Sequence, residues 1–256
     1  MSSRYDPRVG IDHRPRAMAE RRPRHAVVVA DGDVPTRASL DAAWPGWAEG
    51  VDLVIAADGG LGRVAALGLE ASLLVGDLDS IDPAVLARAE AAGLPIRRAP
   101  VDKDESDAEL ALLEAVARGA THVTMLGAFG GRRLDHALAN LWLLAHPSLA
   151  DSEVVLLDAA SRVSLLVAPD SAGEPVSRAL SGPVGALVSL LPFGGEVHGI
   201  TTVGLRYPLA DEPLVVGPAR GLSNVRVAAD ASVTVRAGRL LVVETAPPSA
   251  GLSSRS

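Results

Sequence analysis

Five carboxylates crowd into the eight positions from Asp102 to Glu109, around the chain's sole lysine, Lys103. Acids at this density repel one another unless a cation sits among them, and a lysine beside that cation can hold a phosphate as a compact point charge. Part of the run has a plainer use, because Ser106 and Glu109 have capping-box spacing and acids favour a helix N-terminus. Capping alone does not call for five acids. In Gly76-Asp77-Leu78-Asp79-Ser80 two carboxylates stand at i and i+2; in an extended chain they point the same way and can share one hard cation. The alternative is a solvated loop whose Asp82-Pro83 starts the next helix. The paired glycines of Asp58-Gly59-Gly60 let backbone amides approach a ligand closely, or simply form a tight turn with Asp58 as a cap. The segment Gly127 to His136 adds Gly130 and Gly131, two arginines (Arg132, Arg133) that can fork onto phosphate oxygens, and Asp135, placed to accept a proton or bind metal. His136 alone reads as a helix-start hydrogen bonder.

These four loops follow strand-like segments. Ala26 to Ala30, Val51 to Ala57, Leu73 to Gly76, Thr121 to Leu126 and Glu153 to Leu157 are short runs rich in valine, leucine or isoleucine with little alternation, which suits strands buried on both faces. Between them Gly62 to Leu67, Pro83 to Ala92, Ala108 to Arg118 and Leu134 to Ala145 read as helices on alanine and leucine content and on spacings such as Leu138, Leu141, Trp142 and Leu144. Strand and helix in alternation predict a parallel, Rossmann-like α/β sheet, whose ligands sit at the carboxyl ends of the strands. The rhythm breaks near Pro169. Beyond a Ser-, Gly- and Pro-rich stretch to Pro183 come only short strand-like runs: Gly185 to Leu191, Glu196 to Val203, Leu214 to Val216, Asn224 to Ala228, Ser232 to Arg236 and Leu240 to Glu244. They predict a small antiparallel β-sandwich. The expected organisation is a flexible arginine-rich tail over 1–24, an α/β domain over 25–168, a β-sandwich domain over 184–245 and a disordered end over 246–256.

Composition narrows the chemistry. With no cysteine among 256 residues, a disulfide framework, an iron–sulfur cluster, a thiolate zinc site and a cysteine nucleophile are all excluded. A net charge of -7 argues against a body that grips nucleic acid through its phosphates, and implies that an acidic protein handling phosphates needs metal ions. No apolar run reaches membrane-spanning length and the N-terminus lacks a secretory core, so the expected location is cytoplasmic, with no membrane partner. The P-loop pattern GxxxxGK[ST] is absent.

Taken together and in order, the motifs resemble those of the thiamine pyrophosphokinases. The family pattern ADGG, GDxDS, DKDxTDxE, GGRxDH and a late SN is matched by Ala57 to Gly60, Gly76 to Ser80, Asp102 to Glu109, Gly130 to His136 and Ser223-Asn224, a resemblance spanning roughly His25 to Glu244. It implies transfer of the β,γ-diphosphate of ATP to the hydroxyethyl oxygen of thiamine, giving thiamine diphosphate and AMP. It further implies a homodimer whose site lies between the α/β domain of one subunit and the β domain of the other. Carried over by motif, Asp77, Asp79 and Asp107 look like magnesium ligands, and Asp58, Gly59, Gly60, Lys103, Asp104, Ser106 and Arg133 look like nucleotide contacts. Asp135 looks like a base or a residue behind the ligands. Tyr207, in Gly204-Leu205-Arg206-Tyr207, would stack on the thiamine pyrimidine with Ser223 and Asn224 nearby. Ser106 stands where the family has threonine, Tyr207 where some members have tryptophan, and an additional residue before Leu134 leaves Arg132 and Arg133 competing for one family position. Two other readings share many of these features: a pyrophosphokinase acting on another alcohol, such as a hydroxymethyl-dihydropterin, and a non-catalytic thiamine- or nucleotide-binding regulator.

Overall fold

The computed structural model describes residues 24–131, 133–169 and 173–247. Ten strands form one continuous mixed sheet. Six of them are parallel: β1 (His25–Val29), β2 (Val51–Ala57), β3 (Leu73–Gly76), β4 (Ile96–Arg98), β5 (His122–Leu126) and β6 (Glu153–Leu157). Their spatial order is β6-β5-β1-β2-β3-β4, so the direction of winding reverses at β1. The middle residues of β1, β2, β3, β5 and β6 are buried on both faces, which is why their sequences are apolar without alternation.

Helices cover the two faces. α1 (Arg37–Ala43) is capped by Thr36, α2 (Leu61–Val64) is a single turn, and α3 (Pro83–Ala91) starts from an Asp82 cap with proline in its first turn. α4 (Asp107–Ala117) starts from Ser106, whose side chain accepts from Glu109 N at 3.1 Å, and it buries Ala111, Leu112 and Ala115 against the sheet. Full burial of a leucine such as Leu112 contributes about 1.5–3 kcal/mol. α5 (Leu134–Leu143) is a helix as expected. Leu134, Leu138 and Trp142, one stripe at i, i+4 and i+8, are exposed.

The antiparallel half is not a separate pile of strands. After β6 the chain turns directly into β7 (Ser161–Ala168), an element the sequence reading missed, and the sheet continues through β14 (Gly238–Thr245), β9 (Leu187–Pro192) and β12 (Asn224–Val225). A second sheet, in the order β11-β10-β13-β8, comprises β8 (Val176–Ala179), β10 (Val197–Val203), β11 (Glu212–Leu214) and β13 (Ser232–Val235). In β7 and β14 alternate residues face opposite ways. Val163, Leu165 and Leu241 join the core beneath α4 and α5, whereas Leu166, Ala168, Leu240 and Val242 pack with Ile200 and Val233 between the two sheets. The expected parallel sheet with helices and the expected small antiparallel sheet are thus both present, and the first runs on without a break through the antiparallel strands β7, β14, β9 and β12.

The expected tails fall largely on residues 1–23 and 248–256, outside the described part. Arg24, assigned to the first tail, is tied to the body by a 2.7 Å bond to Arg118 O and a 3.2 Å ion pair with Asp52. At the other end Ala246 N donates to Ala160 O at 2.8 Å. Among the described residues no helix is long and apolar enough to cross a membrane.

Candidate active site

The chain leaves β1 for β2 on one side while β5 lies on the other, and in such sheets ligands bind at the carboxyl ends beside that reversal. A cavity of about 480 Å³ occurs there, lined by the segments that follow β1, β2 and β5 and by the start of α4.

One end of it is acidic. Single carboxylate oxygens of Asp58, Asp77 and Asp107 lie within 4.8 Å of one another. Each is placed by a different element: Asp58 follows β2, Asp77 follows β3, and Asp107 opens α4, where the helix N-terminus favours negative charge. Lys103 spans two of them, with Nζ 3.1 Å from Asp77 Oδ2 and 3.0 Å from Asp107 Oδ1. That contact to Asp107 is an ion pair without hydrogen-bond alignment, and Asp58 Oδ1 and Asp107 Oδ1 are both buried with no hydrogen-bond donor directed at them. Three carboxylates this close, two of them with a buried oxygen that accepts no hydrogen bond, could hold a hard divalent cation.

The electrostatics agree with this geometry. Burial pushes the Asp58 carboxyl up, and the neighbouring Asp107 and Asp77 add to the effect, while Ser80 opposes it, chiefly through its side chain and less through its amide. Asp77 is held below the usual range chiefly by its hydrogen bond from Lys103. For Lys103 burial works against the charged form, but Asp107 and Asp77 outweigh it and raise its pKa. Asp58 itself sits at φ 46°, a left-handed conformation that aspartate tolerates better than most residues.

Asp79 does not join the trio. Leu78, buried in the core with φ 71°, breaks the extended geometry that the i, i+2 argument assumed, and Asp79 instead accepts from Ser80 Oγ at 3.0 Å. Gly59 and Gly60 also differ from expectation. A Cβ on Gly60 would overlap the backbone of Val29, so packing against β1 requires that glycine, while one on Gly59 would displace the Asp31 carboxylate. Asp104 is exposed and is not part of the cavity wall.

The cavity wall also includes Ser106, Arg133 and His136. Arg133 forms a fork on Asp135, with Nη2 2.6 Å from Oδ2, and this hydrogen bonding holds the Asp135 carboxyl at about 2. A carboxylate held that low is a poor base at neutral pH. Its geometry is that of a residue orienting Arg133. Arg132 lies outside the described residues.

Two contributions to the wall went unread in the sequence. Asp31 and Gly32 follow β1, and Asn140 comes from the second turn of α5. The signal for the first was present: Ala30-Asp31-Gly32 repeats the Ala57-Asp58-Gly59 pattern at the end of an equally apolar strand. Burial raises the Asp31 pKa, with Arg63 opposing it.

The expected acceptor group forms its own cluster in the antiparallel half. Tyr207 N donates to Asn224 Oδ1 at 3.0 Å and Asn224 Nδ2 donates to Tyr207 O at 2.6 Å, while Ser223, at φ 57°, donates its amide to Ser189 Oγ. The Tyr207 ring is exposed, and none of the three lines the cavity of the same chain. A second cavity, of about 510 Å³, opens at the amino ends of β1 and β5 around His25, His122 and Trp44. Among the described residues no carboxylate cluster lies there, and burial pushes the pKa of His25 down, its ring nitrogens lying within hydrogen-bond distance of Glu49 O and Thr124 Oγ1.

Two family models match the chain. Residues 46–156 match "Thiamin pyrophosphokinase, catalytic domain" and residues 179–240 match "Thiamin pyrophosphokinase, vitamin B1 binding domain". The thiamine pyrophosphokinase of Bacillus subtilis is 25% identical over 170 residues, covering 66% of this chain and 76% of that protein. Thiamine pyrophosphokinase 1 of Oryza sativa subsp. japonica is 27% identical over 222 residues, 78% of this chain and 80% of the other. Among solved structures, the B. subtilis enzyme superposes with a TM-score of 0.72 at 23% identity, over 87% of this chain and 99% of that one. A thiamin pyrophosphokinase family protein from Enterococcus faecalis gives 0.70 at 26% identity, over 88% and 99%. The catalytic match takes in Asp58, Asp77, Lys103, Asp107 and Arg133, the second takes in Tyr207, Ser223 and Asn224, and with both halves of the molecule accounted for in one fold, the chain belongs to the thiamin pyrophosphokinase family.

Proposed function

We propose that this protein transfers the diphosphate of ATP to the hydroxyl of thiamine, with a magnesium ion held by Asp58, Asp77 and Asp107, in a homodimer whose sites lie at the interface. The observation that carries the reading is the cluster of Asp58, Asp77 and Asp107, two of which, Asp58 and Asp107, line the same cavity as Lys103, Ser106 and Arg133. When bound, the metal supplies charge neutralisation for the triphosphate. Lys103 places a compact charge beside the trio, Arg133 offers a planar fork to phosphate oxygens, and Asp135 keeps that fork oriented. Diphosphoryl transfer asks mainly for such positioning and charge stabilisation rather than a covalent catalyst.

The shared site is supported by two features. The aromatic ring suited to a heteroaromatic acceptor, Tyr207, is exposed and lines no part of the chain's own cavity. Meanwhile α5, whose residues His136, Ala137 and Asn140 line the cavity, exposes the Leu134–Leu138–Trp142 stripe on its other side, an apolar face that a second copy would cover. A cytoplasmic location belongs to the same reading. Purified protein incubated with ATP, magnesium and thiamine should yield AMP and thiamine diphosphate in equal amounts. Formation of ADP, or no turnover of thiamine while another alcohol reacts, would overturn it.

A further inference from the structure

We infer that Asn140 is a positioning and specificity-determining residue, which locks the β5–α5 loop through its Nδ2 and presents its Oδ1 to a neutral hydrogen-bond donor on the nucleoside part of the nucleotide. This rests on the cavity being the ATP site. Asparagine is a poor helix former and its amide is costly to bury, yet Asn140 lies inside α5 with only 7% of its surface exposed. Its Nδ2 donates to Ala128 O at 2.8 Å, a buried bond. The loop so held carries Gly127, Gly130 and Gly131, all at positive φ, and freedom there has to be removed if the loop is to keep its shape. Among the described residues the loop is further tied by backbone bonds such as Asp33 N to Phe129 O at 2.8 Å and by Ala128 and Phe129 packing into the core.

With the nitrogen committed to a carbonyl, the identity and direction of the amide oxygen follow. No donor among the described residues reaches Oδ1, and Asn140 is part of the cavity wall. An amide oxygen accepts only. Phosphate oxygens at neutral pH are acceptors too, so the triphosphate is repelled from this point and drawn to Lys103 and Arg133 elsewhere in the cavity. The neutral donors that remain on the nucleotide are the exocyclic amine of the base and the sugar hydroxyls.

The test compares kcat and KM of the full-length enzyme for ATP, 2′-deoxyATP, 3′-deoxyATP and purine riboside triphosphate, which lacks the amine. Wild type should disfavour at least one analogue about tenfold in kcat/KM, which identifies the donor, and Asn140→Leu should shrink that preference to within about twofold. A merely structural residue would lower all four nucleotides by a common factor. Asn140→Ser, smaller and unable to reach as far, serves if the leucine variant fails to fold, with thermal melting to establish folding. Equal use of all four nucleotides by wild type, an unchanged preference in the folded variants, or a change confined to the thiamine KM would overturn the inference. Failure of wild type to convert ATP and thiamine to AMP would instead remove the ATP reading beneath it.

Discussion

Asp58 and Asp79 are both acids next to a strand end, yet the backbone gives them different work. Asp58 turns its carboxylate inward to meet Asp77 and Asp107, and Asp79 turns to its neighbour Ser80. Since even residues behind metal ligands cost about 10–100-fold when changed, Asp58→Asn, Asp77→Asn and Asp107→Asn should each lower turnover by about 100-fold or more, whereas Asp79→Asn should cost about tenfold or less. Magnesium titrations of AMP formation distinguish the two groups, and equal losses at all four positions would return Asp79 to the ligand set. Lys103→Ala should reduce kcat/KM for ATP by about 10- to 100-fold, the range for a hydrogen bond to a charged group, and Lys103→Arg should restore only part of it because a planar fork cannot sit between Asp77 and Asp107 as an ammonium does. Lys103 was legible because it is the chain's sole lysine within an acidic run. The exclusion of Asp79 was not, since it depends on one positive φ, at the buried Leu78, that no spacing rule contains.

At the scale of elements, the apolar parallel strands could be read because burial on both faces leaves a continuous hydrophobic run. β7 could not be separated in the same way. Its sequence SRVSLLVA feeds two cores at once, and the turn before it, held by Asp158 Oδ1 accepting from Ala160 N and Ser161 N at 2.6 Å, contains neither glycine nor proline. β4 is a three-residue edge strand with two arginines, too short and too polar to signal. Where β5, β6 and β7 adjoin, Glu153 on β6 lies 3.4 Å from His122 Nδ1 and 3.3 Å from Arg162 Nη2. The His122 hydrogen bond, with Arg178 and Arg162 beyond it, holds the Glu153 carboxyl at about 2. A depressed carboxylate stabilises the fold above its ordinary pKa of ~4.3 and loses that contribution as pH falls toward 2. With 39% of its side chain exposed, solvent screening limits the contribution to about 1 kcal/mol. Glu153→Gln should therefore lower the melting temperature by about 2–4 °C at pH 7, with the gap to wild type closing between pH 5 and pH 2. A gap that stays constant over that range would mean the ion pairs contribute nothing to stability.

For the whole molecule, the shared sheet decides which experiments are informative. The eight register pairs between β7 and β14, running from Ser161↔Thr245 to Ala168↔Gly238, bind the two halves into one body. Ending the chain at Ala168 would bare a long edge as well as remove Tyr207, so loss of thiamine binding in such a fragment would not isolate the acceptor site. Point variants in the intact chain do isolate it. Tyr207 stands exposed in the antiparallel half and lines no part of its own chain's cavity, and Asp77 follows β3 in the parallel half. If a site draws its acid trio from one copy and its ring from another, a dimer of Tyr207→Ala with Asp77→Asn has one site carrying both lesions and one carrying neither. Each homodimer alone should be nearly inactive, the first through weakened thiamine binding with ATP affinity retained, the second through impaired catalysis. Statistical mixing makes half of the dimers mixed, each with one intact site, so about a quarter of wild-type activity should return on subunit exchange. The measurement is AMP formation in a mixture whose heterodimer content is established by mass. Heterodimers that form and restore no activity would mean that each site is built within a single chain.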